Sequence, residues 1–277
     1  MEKSVSPVGT EIARLIRSEQ AQVIDLSVLI SEDTPAWCPG GQPFLKAKFN
    51  WFEGSLSRAP FFDYVLIMEE HTGTHCDAPA HMIPPPDTNL PHAGPEGNTT
   101  VEKIPVTQTM GPALVVDCTD LVGTEKPGVS PVIEPERIKQ WEARHGDIRP
   151  DDVVLLYTGW TDRFFRQFPE GYKLDQDCRF WTPLWGRERT IGFPAPSART
   201  MEYLVEKGVR HVGIDTPSMG LIQDDNSPHW AGLEHGLVFT EKLCNLGKLP
   251  PRGAFYIFLG IKVKGGTGAP GRAIAIV

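Results

Sequence analysis

Strong positive charge is missing from this 277-residue sequence: 27 Lys and Arg stand against 35 Asp and Glu, a net charge of −8. There is no basic cluster of the kind that tracks a phosphate backbone, which argues against nucleic acid as a partner. Long apolar runs are missing too. Nothing approaches the roughly 18 consecutive apolar residues of a membrane span. The charged opening MEKSVSPVGTEIARLIRSEQ lacks the apolar core, about 7–15 residues long, of a secretory signal. Cysteine is sparse: Cys38, Cys76, Cys118, Cys178 and Cys244 are odd in number and never form a CxxC pair. That usage suits reduced thiols, so the expectation is a cytoplasmic protein. HExxH, GxSxG and the P-loop pattern are absent, which removes the metalloprotease helix, the serine-hydrolase elbow and the phosphate cradle.

What is present is globular. The apolar share is 40% and the charged share 22%, both ordinary for a packed domain. A chain this long buries roughly 75% of its unfolded surface, so it needs no metal merely to fold, and any metal site must be explained by function. The 27 Gly and 26 Pro are spread out rather than gathered in a linker, so the expectation is one domain spanning residues 1–277. Hydrophobic periodicity predicts helices over residues 10–20, 135–145 and 197–207. The helix over 135–145 starts on Pro135 and stops before Gly146; the one over 197–207 is capped by Ser197 and stopped by Gly208. Strands are predicted over 23–30, 64–68, 113–118, 153–157, 212–215, 255–263 and 273–277, the last two joined by the Gly-rich turn KGGTGAPGR. Strands alternating with helices, plus hairpins, indicate an α/β fold with a mixed sheet. The aromatic, Pro-rich stretch 160–196 is long for a connection and is expected to be a binding loop.

The chemistry is concentrated in His71-Thr-Gly-Thr-His75-Cys-Asp77-Ala-Pro-Ala-His81. A helix would put His71 and His75 on one face but turn Asp77 away. On an extended backbone the even offsets 0, 4, 6 and 10 start all four side chains on one face. Pro79 then bends the chain before His81, and Cys76 at an odd offset points away. Three histidines and a carboxylate converging from one strand-to-loop segment make a candidate metal site. The bland alternative is a set of hydrogen-bonded turn histidines.

This segment resembles the signature of the cyclase-like metal hydrolase family, which includes bacterial kynurenine formamidases and isatin hydrolases. VIDLSVLISEDTPAWCPG, YTGW (157–160), GIDTPS (213–218) and the C-terminal hairpin are similar to further family landmarks. The resemblance implies a swivelling β/β/α fold in a homodimer or homotetramer. It implies His71, His75 and Asp77 as ligands of a first metal and His81 as the acid/base. It also implies a downstream His followed twelve residues later by Glu or Gln. His229 and Glu241 have that spacing and would form a second metal site bridged by Asp77; His235 competes with His229 for the role.

Imidazole and carboxylate without thiolate suit Mn²⁺ or Zn²⁺, one or two per chain. Such an ion lowers the pKa of bound water from about 15.7 to about 7, and a histidine beside it can pass a proton to a departing nitrogen. Trp37, Trp160, Trp181 and Trp185 are candidates to wall a pocket for an aromatic small molecule, with core packing as the plain alternative. The length and the 160–196 stretch favour the isatin hydrolase branch. The leading expectation is a metal-dependent amidohydrolase opening a cyclic amide. An arylformamidase acting on N-formylkynurenine comes next, then a lactonase or esterase using the same site, and last a non-catalytic metal-binding protein.

Overall fold

The computed structural model describes residues 8–32, 34, 44–50, 62–165 and 191–277. Its centre is built from β-branched and aliphatic runs. Strand β5 (Met110–Asp117) and strand β7 (Val153–Tyr157) pair in parallel, and β7 pairs in parallel with β9 (His211–Ile214), which pairs in parallel with β10 (Val238–Glu241). These strands are buried on both faces, which is why they read as continuous apolar runs. Strands β11 (Arg252–Gly260) and β12 (Gly268–Ile276) form an antiparallel hairpin that joins the other side of β5.

The short strand β4 (His75–Asp77) closes the structure. It pairs antiparallel with β10 on one side and with β12 on the other, so β12, β11, β5, β7, β9, β10 and β4 complete a ring. β1 (Val23–Asp25) adds to the outer side of β12. A separate hairpin is formed by β2 (Phe44–Asn50) and β3 (Asp63–Met68), and β6 (Val132–Ile133) pairs with β8 (Ala195–Pro196). The fold is thus mixed α/β around a closed, barrel-like sheet.

Alternation along the strands divides the core in two. Ala113, Val115, Val153, Leu155, Val238, Tyr256, Phe258, Ala273 and Ala275 form one cluster with Cys76. Leu114, Val116, Val154, Leu156, Val212, Ile214 and Phe239 pack against the helices on the other face. Those helices are α2 (Pro135–His145), α4 (Ala198–Glu206) and α5 (Asn226–Leu233), while α1 (Val8–Arg17) contributes no buried residue and α3 (Trp160–Phe164) is one short turn. Each fully buried aliphatic side chain adds about 1.5–3 kcal/mol. No described helix is long and apolar enough to cross a membrane.

The predicted α2 and β7 match the structure residue for residue, and Ser197 caps α4 by accepting the Thr200 N–H. Three differences matter. The predicted strand over 23–30 keeps only Val23–Asp25 and an isolated bridge at Ser27. The second half of KGGTGAPGR is strand rather than turn, because Gly268, Ala269 and Pro270 pair with Asp77, Cys76 and His75. Helix α5 had no expected counterpart; Pro228 within it weakens its helical pattern. Residues 166–190 of the expected binding loop lie outside the described residues, as do Trp37, Trp181 and Trp185.

Candidate metal centre

Two segments distant in sequence build the site. The first runs from Glu69 through a turn into β4. It is not extended throughout: Gly73 has φ +63°, and a Cβ there would meet Ile30 at 2.7 Å. That turn, rather than strand geometry, swings His71 back over β4. His75 and Asp77 share one face of β4, as the even spacing requires, and Cys76 enters the apolar cluster on the other. Burial, helped by Asp77, pushes the Cys76 thiol up to about 12, an inert state. His81 ends the 3₁₀ turn Pro79–His81.

The second segment is α5 with β10. Glu241 is the register partner of His75 across the β10–β4 pairing. His229 projects from α5, its Nε2 3.5 Å from Glu241 Oε1. His235 is exposed beyond the helix end, so the fold brings His229, not His235, to the cluster.

The donor atoms converge. His71 Nε2 lies 3.2 Å from Asp77 Oδ1, His75 Nε2 lies 3.3 Å from the same oxygen, and His75 Nε2 lies 3.6 Å from Glu241 Oε2. The ligand atoms of His71, Asp77 and His81 all lie within 4.8 Å of one another, and so do those of His75, Asp77 and Glu241. Asp77 belongs to both groups. His75, Asp77, His229 and Glu241 are buried; His81 sits at the rim.

The outer nitrogens are already committed. His75 Nδ1 bonds the Gly73 carbonyl at 2.9 Å and His229 Nδ1 bonds the Asp225 carbonyl at 2.6 Å. An Nδ1–H donated to a carbonyl leaves Nε2 as the nitrogen aimed inward, the arrangement that orients metal ligands. His71 Nδ1 faces Glu69 Oε1 at 3.4 Å, and the Lys242 ammonium donates to the His71 carbonyl at 2.8 Å. Glu241 Oε1 accepts the Met219 N–H.

His71 Nε2 and Asp77 Oδ1 are buried without a hydrogen-bond partner. They lie 3.2 Å apart without completing a hydrogen bond, and a cation shared between them would satisfy both. The donor set of imidazole and carboxylate, aimed at shared points, fits a divalent metal ion.

Electrostatics point the same way. Burial works to raise the Asp77 carboxyl, but His75, His71 and His81 hold it well below the usual carboxylate range. Burial opposes protonation of His71, yet Asp77 and Glu69 push it up to about 10. His229 is likewise carried, against burial, to about 9 by Glu241, Asp225 and Asp77. His81 moves the other way: burial, with His71 and His229 beside it, lowers its pKa despite Asp77. It is therefore neutral at pH 7.

A cavity of about 340 Å³ opens over these groups, lined by His71, His75, His81, His229 and Glu241 together with Glu69, Met82, Pro217, Ser218, Asp225 and Lys242. Trp160 is not among them; it is fully buried in a cluster with Phe193, Ala195 and Leu221. Glu69, Asp225 and Lys242 belong to no spaced motif, and Ser218, which ends GIDTPS, gives no sign in the sequence that it lines the cavity. The acid pair just before His71 was the one available hint.

The model of the putative cyclase family matches residues 24–220. An isatin hydrolase from Roseibium aggregatum is 30% identical over 229 residues, 80% of this chain and 77% of that protein. A kynurenine formamidase from Salinibacter ruber is 27% identical over 265 residues, 91% of this chain and 96% of that protein. The structure of isatin hydrolase A from Ralstonia solanacearum superposes with a TM-score of 0.76 at 25% identity, covering 100% of both chains. The matched residues include His71, His75, Asp77 and His81, and the chain belongs to the cyclase family and is a hydrolase.

Proposed function

We propose that this protein, as a single domain over residues 1–277, is a metal-dependent amidohydrolase that opens a cyclic amide of the isatin type. The observation that carries this reading is the pair of buried, unpartnered atoms His71 Nε2 and Asp77 Oδ1, with His81 in reach of both. His71, His75 and Asp77 would hold Mn²⁺ or Zn²⁺. Glu241 and His229 would complete that centre or, with Asp77 bridging, hold a second ion. When bound, a divalent ion there supplies Lewis-acid polarisation of a carbonyl and acidifies water.

The residues of this chain do the rest. His81, neutral because its pKa is lowered, takes a proton from water and delivers it to the departing amide nitrogen. Met82 and Pro217 give the cavity its apolar wall, which limits the water around that transfer. Glu69 and Lys242 hold His71 from opposite ends, through its ring and its carbonyl. Trp37 remains our candidate for aromatic contact with substrate; Trp160, buried in a separate cluster and absent from the cavity wall, is a core residue instead.

Formyl-amide hydrolysis is the second reading, favoured by the near-complete overlap with the kynurenine formamidase. The sparse cysteines support a cytoplasmic location. Exposed Val65, Leu66 and Ile67 on β3 support assembly into a homodimer or homotetramer. The test is elemental analysis followed by turnover assays on isatin, N-formylkynurenine, cyclic imides and lactones. Full activity in a demonstrably metal-free preparation would overturn the reading, as would hydrolysis of lactones alone.

A further inference from the structure

The cavity wall contains one carboxylate that holds no imidazole ring. Glu241 faces His75 and His229, and Glu69 is turned to His71. Asp225 lines the same cavity; its backbone carbonyl holds His229 Nδ1, while its carboxylate makes no hydrogen bond to any ring among the described residues and acts on His229 only through its charge. Its Oδ1 accepts the Ser218 hydroxyl at 3.0 Å. Ser218 Oγ itself accepts the Gly220 N–H at 3.0 Å, so the hydroxyl proton is left to point at Asp225. Gly220 is needed for this packing, since a Cβ there would lie 2.2 Å from Asp225 Oδ1. Asp225 is therefore fixed through Oδ1 and through the start of α5. Its second oxygen, Oδ2, has no hydrogen-bond partner among the described residues.

We propose that Asp225 sets substrate specificity by accepting a hydrogen bond from the N–H of the scissile amide. The site would then take secondary amides and lactams in preference to N-alkylated amides and lactones. The inference rests on the amide-hydrolase reading above. An N–H held by Asp225 turns the nitrogen lone pair, as it develops, away from that wall, where His81 can protonate it. An N-methyl group or a lactone oxygen leaves Oδ2 desolvated and unpaired. A site built around a buried hydrogen bond rejects an analogue lacking that bond far more strongly than an apolar pocket rejects a methylene.

The experiment compares kcat/KM of the metal-loaded full-length protein on two matched pairs: isatin with N-methylisatin, and formanilide with N-methylformanilide. The wild-type protein should prefer the N–H member of each pair by roughly 10²-fold or more. Asp225→Asn keeps an oxygen towards Ser218 and presents NH₂ to the cavity. It should lose at least about tenfold on the N–H substrates, stay within about threefold on the N-methyl substrates, and keep its metal content. A merely structural role, acting through His229, would lower both members of a pair equally, and that result would overturn the proposal. A wild-type protein indifferent to N-methylation would overturn it without any variant. Hydrolysis of neither pair by the metal-loaded wild type would instead remove the amide-hydrolase reading, and this inference with it.

Discussion

Gly268→Ala separates metal binding from folding. A Cβ at Gly268 would lie 2.6 Å from His71 Nε2, 2.7 Å from Cε1 and 2.9 Å from Cδ2. Ordinary contact begins at 3.4 Å, so the His71 ring must retreat by about 0.8 Å. Metal–ligand distances hold to within about 0.2 Å, so the ring leaves coordinating range. We expect affinity for Mn²⁺ or Zn²⁺ to fall by roughly 10²-fold, at the upper end of what loss of a single orienting partner costs. Gly268 has no positive φ, so alanine fits its backbone and narrows the unfolded ensemble, a gain of about 0.4–1 kcal/mol that offsets part of the crowding. The metal-free melting temperature should therefore move little. Gly94→Ala is the control, since its Cβ would meet nothing closer than 3.9 Å. Titration calorimetry with each metal reads the difference. Unchanged affinity in Gly268→Ala would refute His71 as a ligand.

Four other outcomes are expected. Prolonged chelation should abolish turnover and Mn²⁺ or Zn²⁺ restore it, while far-UV circular dichroism shows the apoprotein still folded; loss of structure on chelation would contradict the argument from core size. His81→Ala should lose roughly 10²–10⁴-fold in turnover and keep its metal, whereas His75→Ala and Asp77→Ala should lose both; metal loss in His81→Ala would make it a ligand. His71 at about 10 and His229 at about 9 carry protons at pH 7 in the metal-free protein. Binding must expel them, so affinity should strengthen as pH rises towards those values, with about two protons released when both histidines ligate; calorimetry in buffers of different ionisation enthalpy counts them, and zero release would refute the pairing. Elemental analysis of Glu241→Gln should show the ion count falling from two towards one if Glu241 holds a second ion, and a count of one in both proteins would confine it to orienting the first centre.

Much of the site was legible before folding because its spacing is local. The period of two that aligns His75 with Asp77 and turns Cys76 away is a property of any extended chain, and it survives in β4. The run VVLLY announces a strand buried on both faces, and Pro135 with Gly146 bounds α2 by rules that act within a turn of chain. His71 joins the cluster through a turn rather than an extended chain, since the left-handed turn at Gly73 depends on the space beside Ile30.

The sequence by itself determined the donor types in the cluster, their order around β4 and the alternating strands and helices that carry them, because backbone periodicity and capping act over a few residues. Tertiary structure decided which distant groups meet them. Closure of the sheet through β4 sets Glu241 opposite His75 and Gly268 under His71. Helix α5 brings His229 inward and leaves His235 in solvent, and the Ser218–Gly220 turn fixes Asp225 in the cavity wall. Contacts across some 150 residues of chain leave no periodic trace; they exist only once the apolar faces have packed and the sheet has closed.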